Sequence, residues 1–192
     1  MANNDLNSNR ISQAREILLQ LLTESTEELF TNYNLKVAFV ESFAGSENEC
    51  KEITIVGLLG ATADGLRSTV AIQTNFRVLH LTYPAKLENM AEEHLQDWIG
   101  ELCNQLIGFL KIKLAHYGCE LTLGVPTVII GNNLKTVLPK RSESTTLCFS
   151  TEIGESIYIL ISTLLDEDLF TLDFNPNSSP SSSSSEGDFI FF

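Results

Sequence analysis

The stretch from Asp97 to Lys113, DWIGELCNQLIGFLKIK, decides the fold because it has the period of an amphipathic helix. On a helix, one side of this stretch and its flanks collects an apolar stripe interrupted by a lysine: Leu95, Ile99, Leu102, Leu106, Leu110, Lys113 and Tyr117. The opposite side collects polar and small residues: Asp97, Glu101, Asn104, Gln105, Gly108 and Ala115. We therefore predict a helix that buries one side in a core and leaves the other side open.

The polar side of this helix is the candidate functional site. Glu101 and Asn104 are three residues apart and are therefore neighbours on a helix, and Gly108 lies one turn beyond Asn104. A glycine inside a helix costs about 1 kcal/mol relative to alanine, and no core packing offsets that cost on a solvent face. The bare position predicts that another molecule comes close there. The alternative is an inert polar face, since Glu and Asn at this spacing are common on helices.

Two further helices are predicted from the sequence. Apolar residues recur at helical spacing from Ile11 to Tyr33, and Asn34 marks the end of that segment. Residues 76–83 form a short segment before Pro84 that predicts a second, short helix. The long helix is expected to run from about Leu87 or Met90 to Tyr117, with Gly118 as its stop.

The remaining segments predict strands. LKVAF (35–39) alternates, EITIVGLLGATADGLRSTVAIQT (52–74) reads as a hairpin turning at Asp64-Gly65, and TTLCFSTEIGESIYILIST (145–163) reads as a second hairpin turning near Ile153-Gly154. ELTLGV (120–125) is a strand and TVIIG (127–131) a short apolar run. Gly57 and Gly60 inside a strand predict a bulge or a closely packed helix. We predict an α+β fold: a mainly antiparallel sheet of about six strands, covered on one face by two long helices.

The composition changes after Leu165. We predict a folded domain over residues 1–165 and, over residues 166–192, an acidic, serine-rich flexible tail that ends in the aromatic peptide DFIFF. Exposed aromatic residues at the end of such a linker indicate a docking peptide. The alternatives are that the peptide folds back on its own domain or is disordered, and the sequence leaves these open.

Charge and composition narrow the possible partners. The 192-residue chain has a net charge of −13, which argues against DNA, RNA or an anionic membrane as a partner. All twelve basic residues precede Ser142, so the acidic C-terminal part suits either solubility or a basic protein surface. The N-terminal MANNDLNSNR lacks the apolar core of a signal peptide, and no apolar run reaches the ~20 residues of a membrane span. We expect a cytoplasmic protein.

Standard catalytic sets are missing from the sequence. The four cysteines, Cys50, Cys103, Cys119 and Cys148, form no CxxC pair, so reduced and mostly buried thiols are expected. The three histidines show no metal-ligand spacing, and there is no GxSxG, P-loop or HExxH motif. Each lone histidine is therefore expected to be structural or solvated rather than catalytic.

The helix and its surroundings resemble the CheX/CheC family of chemotaxis phosphatases. The pattern D-x-x-x-E-x-x-N-x-x-x-G of that family is matched by Asp97, Glu101, Asn104 and Gly108. The family's later proline-containing segment is matched by Pro126, Thr127 and Gly131, and its upstream glycine-containing hairpin by Gly57, Gly60 and Gly65. The resemblance covers about residues 35–162. It is closer to the single-site CheX type than to CheC, because Glu28 and Asn32 of the first helix do not have the spacing of a second ExxN.

The resemblance implies hydrolysis of the phosphoaspartate of a CheY-like response regulator, which supplies the phosphoryl group and its Mg²⁺. It implies that Asn104 orients the attacking water and that Glu101 pairs with a lysine of the regulator. Gly108 would allow close approach, and Asp97 and Gln105 would flank the contact. It also implies a possible homodimer through sheet edges. Two other functions stay open: an adaptor that binds a regulator without hydrolysis, and an inert dimerisation domain.

Overall fold

The computed structural model describes residues 2–44, 53–84, 91–132 and 143–166, together with positions 134, 169, 170, 172, 174 and 175. Its helices are α1 (Ala2–Asn32), α2 (Phe76–Thr82) and α3 (Glu92–Ala115). Its strands are β1 (Val37–Ala44), β2 (Ile53–Ala63), β3 (Leu66–Thr74), β4 (Thr122–Leu123), β5 (Thr127–Asn132), β6 (Glu143–Thr151) and β7 (Ser156–Leu165). None of these helices is long and apolar enough to cross a membrane.

All seven strands of the described residues belong to one antiparallel sheet. Their order is β1-β6-β7-β3-β2-β4, and β5 also pairs with β2. The predicted α+β fold is confirmed, with seven strands instead of about six. The additional strand arises because β2 is long enough for two partners: residues 53–58 pair with β5, and residues 61–62 pair with β4.

The helices pack on one face of the sheet, as predicted. In β2, Ile55 and Leu59 point towards the helices and join the main hydrophobic core, which includes Leu22 and Phe30 of α1. Side chains at the alternate positions of β2, such as Val56, point to the other face of the sheet. Val56 forms a separate small cluster there with Ala71 and Leu160, and none of the described members of this cluster lies on a helix. This division follows from the alternation of side chains along a strand.

The predicted turns and helix ends lie close to their expected places. Residues 64–65 connect β2 to β3, and Gly65 has a φ of +68° that glycine adopts without steric cost. The second hairpin turns at residues 152–154. Helix α1 begins earlier than Ile11 and ends at Asn32, with Asn34 at a φ of 57°. Helix α3 begins at Glu92 and ends at Ala115, and Gly118 follows at a φ of +73°.

Lys113 and Ala115 lie near the boundary between the buried and the open side of α3, and only Ala115 differs from its sequence assignment. Lys113, the single charge in the apolar stripe, is half-buried, and its Nζ lies 2.9 Å from Oε2 of Glu28 on α1. This ion pair connects α3 to α1 at the edge of the core. Ala115, assigned to the polar side, is buried. A small side chain on the boundary of the stripe is covered by its neighbours.

The packed part of the chain extends beyond Leu165, the predicted end of the domain. Phe170 is buried in the main core, and the Phe174 ring lies 5.2 Å from the Tyr117 ring. The backbone N–H of Asn175 donates to the carbonyl of His116 at 2.7 Å. These contacts attach at least the first part of the predicted tail to the end of α3. The serine-rich segment, DFIFF, Cys50 and the loop 45–52 lie outside the described residues.

Candidate functional site

Helix α3 carries the candidate site and packs on the sheet through its buried side. The predicted apolar stripe is confirmed, since five of its members are buried: Leu95, Ile99, Leu102, Leu106 and Leu110. Acidic Glu92 and Glu93 in the first turn and Lys113 in the last complement the helix dipole. Such a helix is a rigid support for the residues on its outer side.

A glycine in β2 allows α3 to come close to the sheet. A Cβ at Gly57 would lie 2.7 Å from Sγ of Cys103 and 3.0 Å from both Cγ1 and the carbonyl oxygen of Ile99. Of the two explanations predicted for this glycine, the closely packed helix is confirmed. Cys103 and Ile99 lie on the inner side of α3. The missing side chain at Gly57 therefore determines how closely α3, which carries the candidate site, packs on the sheet.

The outer side of α3 brings Glu101, Asn104 and Gly108 together as predicted, all partly exposed. Asp97 is exposed one turn before Glu101. A Cβ at Gly108 would meet no atom of the described residues within 4 Å, so the space above Gly108 is open as far as these residues extend. Within the described ranges, no group hydrogen-bonds the Asn104 carboxamide. The Asn104 carboxamide, which binds no described group, thus lies one turn from the open position at Gly108.

Gln105 has contacts within its own chain. Its Nε2 donates to Oε1 of Glu101 at 2.8 Å, and its Oε1 accepts from the hydroxyl of Tyr33 at 2.6 Å. Gln105 was predicted to bind a partner, and the structure places its carboxamide between Tyr33 and Glu101. Tyr33 was not predicted as a site residue, because it lies 72 residues before Gln105 and no local signal links the two.

The side chain of Trp98 packs against Tyr33. The Trp98 ring packs edge-on against Tyr33 at 5.0 Å and against Tyr83 at 5.7 Å. Its Nε1 donates to the hydroxyl of Thr82, at the end of α2, at 3.0 Å. Trp98 thereby connects α3 to the residue that follows α1 and to the end of α2.

Cys103 and Cys119 are not suited to nucleophilic chemistry. Burial raises the pKa of Cys103 to about 12 and that of Cys119 to about 11, so both stay protonated near neutral pH, and a neutral thiol is a poor nucleophile. Cys103 and Cys119 are free thiols. In the described part of the chain, no three His, Cys, Asp or Glu side chains are grouped as metal ligands.

The central part of the chain matches a known family. The family model described as Chemotaxis phosphatase CheX matches residues 55–150, half of the chain, and this range contains Glu101, Asn104 and Gly108. The CheY-P phosphatase CheX of Thermotoga maritima is 30% identical over 83 residues, which are 43% of this chain and 54% of that protein. The chain thus matches about half the length of this curated relative.

Solved structures share the fold. A CheC-like superfamily protein from Shewanella sp. PV-4 has a TM-score of 0.65 at 20% identity, over 76% of this chain and 96% of that one. A chain of the CheX–CheY–BeF3–Mg²⁺ complex from Borrelia burgdorferi has a TM-score of 0.54 at 17% identity, over 77% of this chain and 96% of that one. At such identities the likeness shows the fold alone.

Proposed function

We infer that this chain, which belongs to the CheX family of chemotaxis phosphatases, hydrolyses the phosphoaspartate of a CheY-like response regulator in a two-component or chemotaxis pathway. The observation that carries the proposal is the outer side of α3, where Glu101 and Asn104 lie beside the open space over Gly108. The activity named for the Thermotoga maritima relative is of the same kind.

Asn104 suits the role of orienting the attacking water. Phosphoryl transfer needs the nucleophile held in line and the developing charge stabilised, and it asks for little covalent chemistry. A carboxamide oxygen accepts a hydrogen bond from water while the NH₂ group donates. The Asn104 side chain has no hydrogen-bonded partner among the described residues, so both ends are available for this task.

Glu101 and its neighbours suit docking. Oε1 of Glu101 accepts from Gln105, and the other carboxylate oxygen is proposed to accept from a lysine of the regulator. Gly108 lets the regulator approach α3 closely, and exposed Asp97 flanks the contact. We propose that the phosphoryl group and its Mg²⁺ arrive together on the regulator, and that Glu101 and Asn104 are the catalytic residues of this chain.

Phosphate release from phosphorylated CheY-like regulators, measured with and without this protein, tests the proposal. Faster release than spontaneous hydrolysis is the expected result. Tight binding without faster release would make the chain an adaptor, and neither binding nor release would leave an inert domain. A homodimer through sheet edges stays a prediction.

Glu101→Ala should weaken both binding and turnover, because a charge-assisted contact is lost. A hydrogen bond to a charged group contributes about 1.5–3 kcal/mol, so we expect a loss of roughly tenfold or more in affinity. Titration with a phosphorylated regulator measures it. Glu92→Ala is the matched control, because it removes the same charge from the same helix on the other side. Unchanged affinity in Glu101→Ala would refute the lysine contact.

Gly108→Leu should abolish activity while the domain stays folded. No atom of the described residues lies within 4 Å of a Cβ at this position, so the helix has room for a side chain here, and leucine is the better helix former by about 1 kcal/mol. Its side chain fills the space that the regulator is proposed to occupy. Gly108→Ala, with a single added methyl group, is the matched control and should keep most activity. Both variants should melt at or above the wild-type temperature, and full activity in Gly108→Leu would contradict close approach.

A further inference from the structure

Tyr33 lies at a position that the end of α1 determines. The helix ends with Asn34 in the left-handed region, and the N–H of Leu35 donates back to the carbonyl of Phe30 at 3.0 Å. Leu35 is buried, so the chain is anchored directly after the turn. The Tyr33 ring is held against Trp98, and its hydroxyl consequently reaches Gln105 on α3.

The protonation states of Tyr33 and Glu101 determine which group donates in the Tyr33–Gln105 and Gln105–Glu101 hydrogen bonds. Burial raises the pKa of Tyr33, the hydrogen bond to Gln105 lowers it, and the Glu101 charge raises it; the net pKa is above its ordinary value. The hydroxyl is therefore protonated and donates to Gln105. The Gln105 amide must then present its NH₂ group to Glu101, because the reversed amide would place its oxygen against a carboxylate oxygen.

We propose that Tyr33 and Gln105 are positioning residues that hold the Glu101 carboxylate in one orientation, with one oxygen bound by Gln105 and the other directed to the incoming lysine. An isolated glutamate on a helix surface samples several rotamers. Tyr33 restrains Gln105, and Gln105 restrains Glu101, so the docking carboxylate is ordered before the regulator arrives. The proposal rests on the proposed function, because it assigns to this network the orientation of that docking residue.

Tyr33→Phe tests the proposal, because it removes the hydroxyl and keeps the ring on Trp98. We expect kcat/KM for a phosphorylated regulator to fall about fivefold to tenfold through KM, with kcat within about twofold, as for loss of one hydrogen bond. Tyr83→Phe is the matched control. It removes a hydroxyl from the other ring that contacts Trp98, away from Gln105, and should behave as wild type.

A double-mutant cycle separates positioning from a general structural effect. If Tyr33 acts through Glu101, Tyr33→Phe added to Glu101→Ala should lower kcat/KM no further than Glu101→Ala alone. Additive losses, or a wild-type KM in Tyr33→Phe, would overturn the proposal.

The side-chain amide resonances of Gln105 give a second measurement that needs no regulator. In wild type the hydrogen bond to Glu101 should move the chemical shift of the bonded amide proton away from its value in a free glutamine. Both Tyr33→Phe and Glu101→Ala should move this chemical shift back towards the free value. Unchanged resonances in Tyr33→Phe would refute the positioning network. Absence of phosphate release by wild type would instead refute the proposed function, and the resonances would still decide whether Tyr33 orders Glu101.

Discussion

Asn104→Ala should lower the rate of phosphoaspartate hydrolysis by about 10²–10³-fold, the usual cost of losing one polar group that acts in the transition state. Binding of the phosphorylated regulator should stay within about threefold of wild type, because the small amide contributes little contact area. Asn104 is hydrogen-bonded to no group of the described chain, so its removal leaves no buried polar partner behind. The fold should accordingly be unaffected.

Single-turnover phosphate release measures the rate, and titration with the regulator measures the affinity. Gln96→Ala is the control, since it removes another carboxamide from α3 about two turns nearer the N-terminus. A wild-type rate in Asn104→Ala would contradict the assignment of the water-orienting group. A large loss of affinity with an unchanged rate of the bound complex would assign Asn104 to docking instead.

Gly57→Ala should destabilise the domain by about 1–3 kcal/mol, the usual cost of overpacking a core. The added methyl group would lie 2.7 Å from Cys103 Sγ and 3.0 Å from the carbonyl oxygen of Ile99, so α3 has to move outwards. Cys103 is buried and its sulfur has little room to move aside. Since α3 carries Glu101 and Asn104, activity should fall together with stability.

Gly60→Ala is the matched control for Gly57→Ala, because it adds the same group to the same strand with its nearest contact at 4.0 Å. It should change the free energy of unfolding by less than about 0.5 kcal/mol. Denaturant titration measures both variants. Cys103→Ala combined with Gly57→Ala should recover part of the loss, since the sulfur is the nearest clashing atom. Equal stability of the two glycine variants would show that α3 is not held by this contact.

Several features of the fold follow from local pattern. The stripe on α3 and the two-residue turn at Asp64-Gly65 were predictable because helical periodicity and glycine turns are properties of neighbouring residues. The grouping of Glu101, Asn104 and Gly108 has the same origin, since positions three and four apart on a helix are always neighbours. The seventh strand, β5, was given only as an apolar run, because its pairing with β2 joins segments that are far apart in the chain.

The sequence by itself determined which residues share the outer side of α3, because helix geometry places them without help from the remainder of the chain. Tertiary structure alone decided that Gln105 joins Tyr33 to Glu101, that Lys113 pairs with Glu28, and that Phe170 belongs to the core. These contacts join residues that are far apart in the chain, and their formation depends on how helices and strands pack. No local pattern encodes such a distance, so the network behind Glu101 became visible only in the folded protein.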